Sequence, residues 1–364
     1  MPPEEPLPTL SPRALNRAVL ARQLLLDRMD GSIPEALQRI CGIQAQYAPS
    51  IYVGLRARLR GLTLDDVTAA LESRSAVQGT LMRETIHVVA RADFWPLAAA
   101  VRQERRRWFL GVRITGRDEA AQRRAELADQ LVVLAARTRD LLSGGPMRRT
   151  DLLRELGIDA RLWSGVGLWV DLVRVPPSGT WQRRRADLYG LADQWLGPIG
   201  DPTMDDEKQG QRLLVSRYLS AFGPASRKDV QGFTGLPLPT VDAIVADLPL
   251  RRLRTETGEP LLDVLDGPLP SPDTPAPVRF LPTYDATLLV HARRTQILPE
   301  RLRPLVFSST SPQSVPTFLV DGQVAGRWRF TGGRIEVTPF DPLPAKARAA
   351  VDDEAERLAA FHQG

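Results

Sequence analysis

Two glutamines separated by a single residue, Gln44 and Gln46, followed directly by Tyr47, are the side chains of this sequence with the clearest chemical potential. A carboxamide offers one acceptor and two donors, and a phenol one of each. Three such groups can orient a water molecule and a sugar by hydrogen bonds without carrying charge. Their setting is Gly42-Ile43-Gln44-Ala45-Gln46-Tyr47-Ala48-Pro49-Ser50. If a helix continued through Gly42, Gln44 would join its buried stripe and Gln46 would point about 200° away. If Gly42 stops the helix and the chain runs extended, both amides face one side. By residue type alone, the segment reads first as a polar helix end.

The commoner kinds of active centre are missing. The sequence has no G-x-x-x-x-G-K-[ST] loop, no G-x-G-x-x-G after a strand, no G-x-S-x-G elbow and no H-E-x-x-H. One cysteine, Cys41, excludes an intramolecular disulfide, and with three histidines it leaves no zinc-site spacing, so neither a metal nor another cofactor is expected. The only lysines are Lys208, Lys228 and Lys346, which argues against Schiff-base chemistry. An amine at Pro2 after Met1 removal would sit in a Pro-rich tail. No apolar run approaches the roughly 18–20 residues that cross a bilayer. The start MPPEEPLPTL lacks the basic and apolar regions of a signal peptide. A cytoplasmic protein without membrane contact is expected, and a monomer.

Charge points to a partner. The 364 residues carry a formal charge of +5, nearly all of the positive charge being arginine. Residues 101–185 hold 18 Arg against ten acidic residues, a local +8, while the rest of the chain sums to −3. A GC-rich coding bias accounts for Arg in place of Lys but not for this asymmetry, which suggests a face for a polyanion such as nucleic acid.

The elements that must position these groups follow from local signals. Residues 1–10 read as a disordered tail with four prolines. Ser11-Pro12 then opens a helix, and Ser32-Ile33-Pro34-Glu35 matches a capping box whose helix buries Ile33, Leu37, Ile40 and Cys41, with Gly42 as its stop. Further helices are predicted near 64–74, 92–109, 120–142 and 148–156, with a strand at Thr85–Val89 between them. One layout, short helices then a strand pair, recurs. Residues 147–195 give helices Arg149–Leu156 and Leu162–Val175 and a hairpin through Trp181 and Tyr189. Residues 211–265 give helices Leu213–Phe222, Arg227–Thr234 and Leu238–Asp247, then strands around Leu253 and Leu262. This is the winged-helix pattern, and the first 90 residues are a candidate third copy. After a Pro-rich linker, strands Val278–Leu281, Thr317–Val320, Gln323–Phe330 and Arg334–Val337 and a final helix Pro344–Phe361 are expected, with Asp321-Gly322 as a hairpin turn.

Seven segments, in order along nearly the whole chain, resemble the AlkZ/YcaQ family of winged-helix DNA glycosylases. They are Leu15-Asn16-Arg17-Ala18, Gly42-Ile43-Gln44-Ala45-Gln46, Leu81-Met82-Arg83-Glu84-Thr85-Ile86-His87, Ser178-Gly179-Thr180-Trp181-Gln182-Arg183-Arg184, Ala221-Phe222-Gly223-Pro224-Ala225, Leu281-Pro282-Thr283-Tyr284-Asp285 and Val320-Asp321-Gly322-Gln323-Val324-Ala325-Gly326-Arg327-Trp328. The resemblance implies an α+β fold of tandem winged helices around a DNA-binding channel: 11–145 with the Gln-x-Gln motif, 146–200 with an Arg-rich wing, 211–266, and a β-barrel-like part at 278–364 closed by the last helix. It implies catalytic roles for Gln44 and Gln46, the second Gln placing the chain on the AlkZ side, and a duplex carrying an alkylated guanine as partner. Members of that branch remove bulky alkylated guanines or unhook cross-links in self-resistance to genotoxic natural products. Glu84 departs from the family pattern, which has Gly there.

The remaining candidates divide between DNA contact and structure. Trp181, Arg183, Arg184 and Arg185 fall on a predicted wing, where arginines meet phosphate and a Trp either stacks on a base or joins the core. Arg105 and Arg106, with Arg107 beside Trp108, form either a solvated helix face or a phosphate track. Tyr47, Arg83 and His87 are candidates to line the channel, His87 first as a satisfied core or channel histidine. Asp285 and His291 read as structural, and Trp328 as a core residue between outward-facing Arg327 and Arg329. An N7-alkylated guanine already carries positive charge, so neutral amides without a general acid suit it. The competing reading is a non-catalytic winged-helix regulator or drug-sequestering protein. The two separate on whether Gln44 and Gln46 line a basic channel or lie buried and apart.

Overall fold

Ser11 and Ser32 start the first two helices as predicted. The Ser11 hydroxyl accepts from the Ala14 amide at the head of α1 (Pro12–Arg22), and Ser32 and Glu35 close a complete capping box on α2 (Ile33–Arg39). Each such cap stabilises by about 1 kcal/mol. The helix ends before Gly42: Ile40 caps it, and Cys41 and Gly42 both take positive φ, 61° and 78°, to turn the chain into β2 (Ile43–Gln44). A Cβ at Gly42 would lie 2.9 Å from the Val89 side chain and 3.0 Å from the Val88 carbonyl, so space as well as φ calls for glycine. The computed structural model describes residues 7–114, 119–197, 204–289, 294–307 and 314–364; His291 lies outside them. Of the expected tail, residues 1–6 lie outside the described residues, and Thr9–Leu10 form a strand, β1.

One order of elements then occurs three times. In the first unit α2 and β2 are followed by α3 (Pro49–Arg56), α4 (Leu64–Glu72), β3 (Ala76–Thr80) and β4 (Ile86–Ala90). The long α5 (Arg91–Arg113) leads to the second: α6 (Ala120–Ser143), β5 (Met147–Arg148), α7 (Arg149–Leu156), α8 (Ala160–Val166), β6 (Leu172–Arg174) and β7 (Leu188–Leu191), then α9 (Ala192–Leu196). The third has α10 (Met204–Phe222), a single bridging residue Ala225, α11 (Arg227–Thr234), α12 (Leu238–Asp247), β8 (Leu250–Thr255) and β9 (Pro260–Val264). Each unit is thus helix, short strand, two helices, hairpin. Its short strand pairs with the second hairpin strand: β2 with β4, β5 with β7, Ala225 with Leu262 of β9. The first two units share a six-stranded sheet, β2-β4-β3-β6-β7-β5, because β3 and β6 pair antiparallel through Gln78↔Arg174 and Gly79↔Val173. β1 lies parallel to β8 in the third.

Two expectations are corrected. The helix predicted at Leu162–Val175 stops at Val166 with Gly167 as its cap, and Leu172–Arg174 is a strand. The apolar run satisfies either period, and pairing on both edges, with β3 and β7, decides for the strand. Trp181 consequently lies in the loop between β6 and β7, while Tyr189 is on β7. The C-terminal part, β10 (Arg279–Leu281), α13 (Ala286–Leu289), α14 (Arg303–Val306), β11 (Thr317–Val320), β12 (Gln323–Thr331), β13 (Arg334–Pro339) and α15 (Ala345–Gln363), is no barrel. Its four strands form an open sheet in the order β10-β11-β12-β13. The sheet does not need to curl, because α15 buries its apolar face: Val351, Ala355, Leu358 and Phe361 pack with Phe280, Phe318 and Trp328. Trp328 is buried as expected and donates from Nε1 to the Leu281 carbonyl at 2.9 Å, with Arg327 and Arg329 outside.

A buried ion pair fastens this sheet to the first unit. Arg58, just past α3, donates to both carboxylate oxygens of Asp285 (2.9 and 3.0 Å) and to the side chains of Gln23 and Thr287. Burial alone would raise the Asp285 pKa, but Arg58 and Thr287 hold it below the usual carboxylate range. Asp285 is therefore structural. Asp285→Ala leaves a buried guanidinium uncompensated and should destabilise the protein by about 3–5 kcal/mol, read as a lowered urea midpoint, with Asp285→Asn milder. An unchanged midpoint would show that the pair carries no stability.

Candidate active site

The Gln-x-Gln segment straddles the edge of the shared sheet. Gln44 faces His87 in the β2–β4 register, and the Ala45 amide makes one further ladder bond to the Ile86 carbonyl at 2.7 Å. There the strand ends. Gln44 is 6% exposed, whereas Gln46 and Tyr47 stand in solvent. The two amides are thus divided between a fixed interior position and an open one, two residues apart.

Arg83 fixes the interior one. It sits with Glu84 at the tip of the β3–β4 hairpin, both residues at positive φ (51° and 58°), a conformation costly for residues with a Cβ. Its guanidinium donates from Nη2 to Gln44 Oε1 at 2.9 Å and from Nη1 to the Phe233 carbonyl at 3.0 Å, and lies 5.2 Å from the Phe233 ring centre. Burial pushes its pKa down to about 10, which leaves it charged at neutral pH. His87 is 2% exposed, with Nδ1 3.0 Å from the Thr85 carbonyl. Burial, reinforced by Arg83, pushes its pKa down to about 3, so it is a neutral, satisfied histidine.

The second unit contributes the loop between β6 and β7, the predicted wing. Arg184 donates to the Tyr47 hydroxyl at 3.3 Å and lies 5.4 Å over the Trp181 ring. Trp181 is half-buried, its ring against Tyr52, Phe361 and His362 and its amide bonded to the Tyr52 hydroxyl at 3.0 Å, so it anchors the wing internally. Arg183, Arg184 and Arg185 are exposed. The structure therefore joins Gln44 to Arg83 and His87, and Tyr47, next to Gln46, to Arg184. Neither Arg105 nor Arg106 joins the exposed arginines, although Arg105 borders the Arg83–Glu84 tip. Arg105 donates to the Thr80 carbonyl at 2.9 Å; Arg106 donates to the Leu168 carbonyl at 2.8 Å and covers Trp169. Phe233, whose carbonyl helps hold Arg83, escaped the sequence reading because an apolar residue 150 positions away carries no local signal. Among the described residues no group of three or more His, Cys, Asp or Glu could hold a metal ion.

Known proteins share this architecture. A family model described as AlkZ-like DNA glycosylase matches residues 37–361. The chain belongs to the AlkZ-like DNA glycosylase family. A curated relative, the interstrand DNA cross-link repair glycosylase of Streptomyces sahachiroi, is 23% identical over 93% of this chain and 93% of its own. The solved structure of the Streptomyces sahachiroi DNA glycosylase AlkZ superposes with a TM-score of 0.77 at 20% identity, covering 98% of this chain and 97% of that one, and so shares the fold. For an AlkZ-like DNA glycosylase, DNA is the substrate implied by family. No described helix is long and apolar enough to cross a membrane.

The depressed histidine has a measurable consequence. Because the folded pKa of His87 lies below its unfolded value near 6.5, the unfolded chain binds the extra proton as pH falls. Its contribution to stability is complete above pH 6.5 and lost below, at roughly 1.4 kcal/mol per pH unit per proton. His362, pushed down to about 4 by burial and by Arg184, acts in the same window. Chemical denaturation between pH 7.5 and 5 should show falling stability, with a shallower slope in His87→Gln. An identical slope would mean that His87 protonates freely in the folded state.

Proposed function

We propose that this chain is a monofunctional DNA glycosylase that hydrolyses the N-glycosidic bond of bulky N7-alkylguanine adducts, including cross-linked ones, in self-resistance to a DNA-alkylating natural product. Its three repeated units act as winged helices around the DNA, and it works as a cytoplasmic monomer. The observation that carries this reading is the Gln44–Arg83 contact beside an exposed Gln46. Arg83 occupies and orients the Gln44 carbonyl, so the second amide is the one free to meet water and sugar. That the curated relative is named a cross-link repair glycosylase supports the lesion class.

The chemistry needs little else. N7 alkylation makes the purine a cationic leaving group, so departure requires no proton. The remaining barrier lies in stabilising an oxocarbenium-like sugar and aligning the water, which preorganised dipoles supply. Gln46 Oε1 faces the developing positive charge and the attacking water, while Gln44, clamped from behind, sets the strand that presents Gln46. With no lysine in the Gln-x-Gln segment, the hairpin tip or the wing, the product is an intact abasic site. Arg183, Arg184 and Arg185 hold backbone phosphates, with Arg184 tied to Tyr47 so that phosphate binding and the Gln pair share one register.

Gln46→Ala should lower single-turnover excision of an N7-guanine adduct by roughly 10²–10³-fold while retaining DNA binding, and Gln44→Ala should be similar or milder. Uracil and 8-oxoguanine should stay in place, and borohydride should trap nothing. Wild-type excision by the double variant, or efficient release of uracil, would remove the assignment.

The wing makes a separate prediction. Replacing Arg183, Arg184 and Arg185 by Ala should flatten the log–log salt dependence of duplex binding by up to about one unit per lost phosphate contact. An unchanged slope would place the DNA elsewhere.

A further inference from the structure

Four arginines from three distant stretches of chain converge on a groove that the sequence does not announce. Arg28, Arg56, Arg60 and Arg357 line it, with Leu64 at the start of α4 and Phe361 on α15; it is about 410 Å³ in volume and open to solvent. None of the four lies in the Arg-rich stretch 101–185. Two carboxylates among the described residues pair with them. Asp30 meets Arg60 at the rim at 3.2 Å, both side chains exposed. Glu354, 4% exposed, serves the other three: Arg28 donates to its Oε1, Arg357 donates from Nε to Oε2 at 2.9 Å, and Arg56 Nη1 lies 3.8 Å from Oε1, too far for a hydrogen bond. Docking α15 through Glu354 needs one such arginine, and three leave an excess of positive charge. Arg56 is the plainest case. Its side chain is 15% exposed and makes no hydrogen bond among the described residues, yet its nitrogens keep contact with solvent. Burial, and after it Arg28, lowers its pKa from the ordinary arginine value; Arg279, buried beside them, is pushed down to about 10 by burial and by Arg28, with Arg56 adding. Like charges gathered in a half-buried groove repel one another, and a bound anion relieves the repulsion.

We propose that this groove holds the phosphate backbone of the DNA duplex, at a phosphate beyond those met by the wing arginines. The assignment rests on the DNA-glycosylase reading above and extends the surface on which the duplex lies. A phosphodiester carries one negative charge on two free oxygens, which match the planar donor forks of Arg56 and Arg357. Arg60 is free to turn to it, since an exposed pair such as that with Asp30 holds weakly. The nearest carboxylate on α4, that of Asp66, is turned back onto the Thr63 amide and hydroxyl at 2.8 and 2.7 Å. An open groove admits a chain that passes through it, whereas small free ligands are held in concave sites that bury most of their surface. Continuity with the wing runs through one side chain: Phe361 walls the groove, and its ring stands 6.3 Å from that of Trp181, over which Arg184 lies at 5.4 Å. Each strand of a duplex offers a phosphate about every 3.4 Å along the helix axis, so one backbone can engage both places.

Full-length protein and undamaged duplex suffice to test it. Arg56→Gln combined with Arg60→Gln should reduce the magnitude of the log–log salt slope of duplex binding by about one to two units, whatever the sequence, with an unchanged urea midpoint. Arg60→Glu alone, at a rim position that solvent already surrounds, should weaken binding about tenfold at low salt. Joined to the wing substitutions, the two losses of slope should add, because the groove and the wing meet different phosphates. A calorimetric titration with sodium pyrophosphate separates the backbone from a free anion. Saturable pyrophosphate binding that Arg56→Gln abolishes, with the duplex slope unchanged, would make the groove a site for a free phosphate and overturn the proposal. So would wild-type slope and affinity in both groove variants, or a loss of binding that only follows a lowered urea midpoint. The fate of the chemistry stays separate. A protein that grips duplex through the groove but releases no N7-guanine adduct keeps this surface and loses the excision reading; an active glycosylase with groove variants of wild-type slope loses only the groove.

Discussion

The antiparallel pairing of β3 with β6 is the constraint on which the site depends. Two register pairs, Gln78↔Arg174 and Gly79↔Val173, turn two small sheets into one and fix the second unit against the first. Arg174, buried at the junction, reinforces it by donating to the Thr80 and Tyr189 hydroxyls. The packing tolerates no extra carbon: a Cβ at Gly79 would sit 2.6 Å from the Phe94 ring on α5. Because β6 runs directly into the wing, this register determines that Arg184 arrives at Tyr47 and not at some other edge of the first unit.

In the mechanism proposed here, charge is kept behind the reacting groups. Arg83 is charged and buried, yet both of its terminal nitrogens face carbonyls, one of Gln44 and one of Phe233. Its field reaches the site through an oriented amide, a dipole that need not reorganise as the transition state forms. His87 is kept neutral by the same burial. On the proposed reading, a leaving group that is already cationic suits this arrangement better than one that needs a proton.

What could be read from residues alone tracks the range of the interaction. Ser32 and Glu35 announce their helix because both halves of a capping box lie within one turn. Asp321-Gly322 likewise marks the turn between β11 and β12, both residues taking positive φ. Gln44 and Gln46 were visible as a motif, but their division into buried and exposed members depends on where the β2 ladder stops. The Arg83 clamp and the Trp181 anchor join segments far apart in sequence, and no local pattern encodes them. The helix expected to reach Val175 and the expected barrel failed for one reason: apolar runs have no intrinsic partner, and β3 in the first case and α15 in the second decide what they become.

The last helix carries an implication for biosynthesis. Its Val351, Ala355, Leu358 and Phe361 complete the same hydrophobic core that Leu37, Tyr52, Leu71 and Val88 begin. On the ribosome, where amino-terminal segments usually fold as they emerge, the first unit would hold an unfinished core until residues 345–363 clear the exit tunnel. The unit bearing Gln44 and Gln46 is therefore translated early and matures late, and a nascent chain arrested before α15 presents its apolar face to chaperones instead of a finished active site.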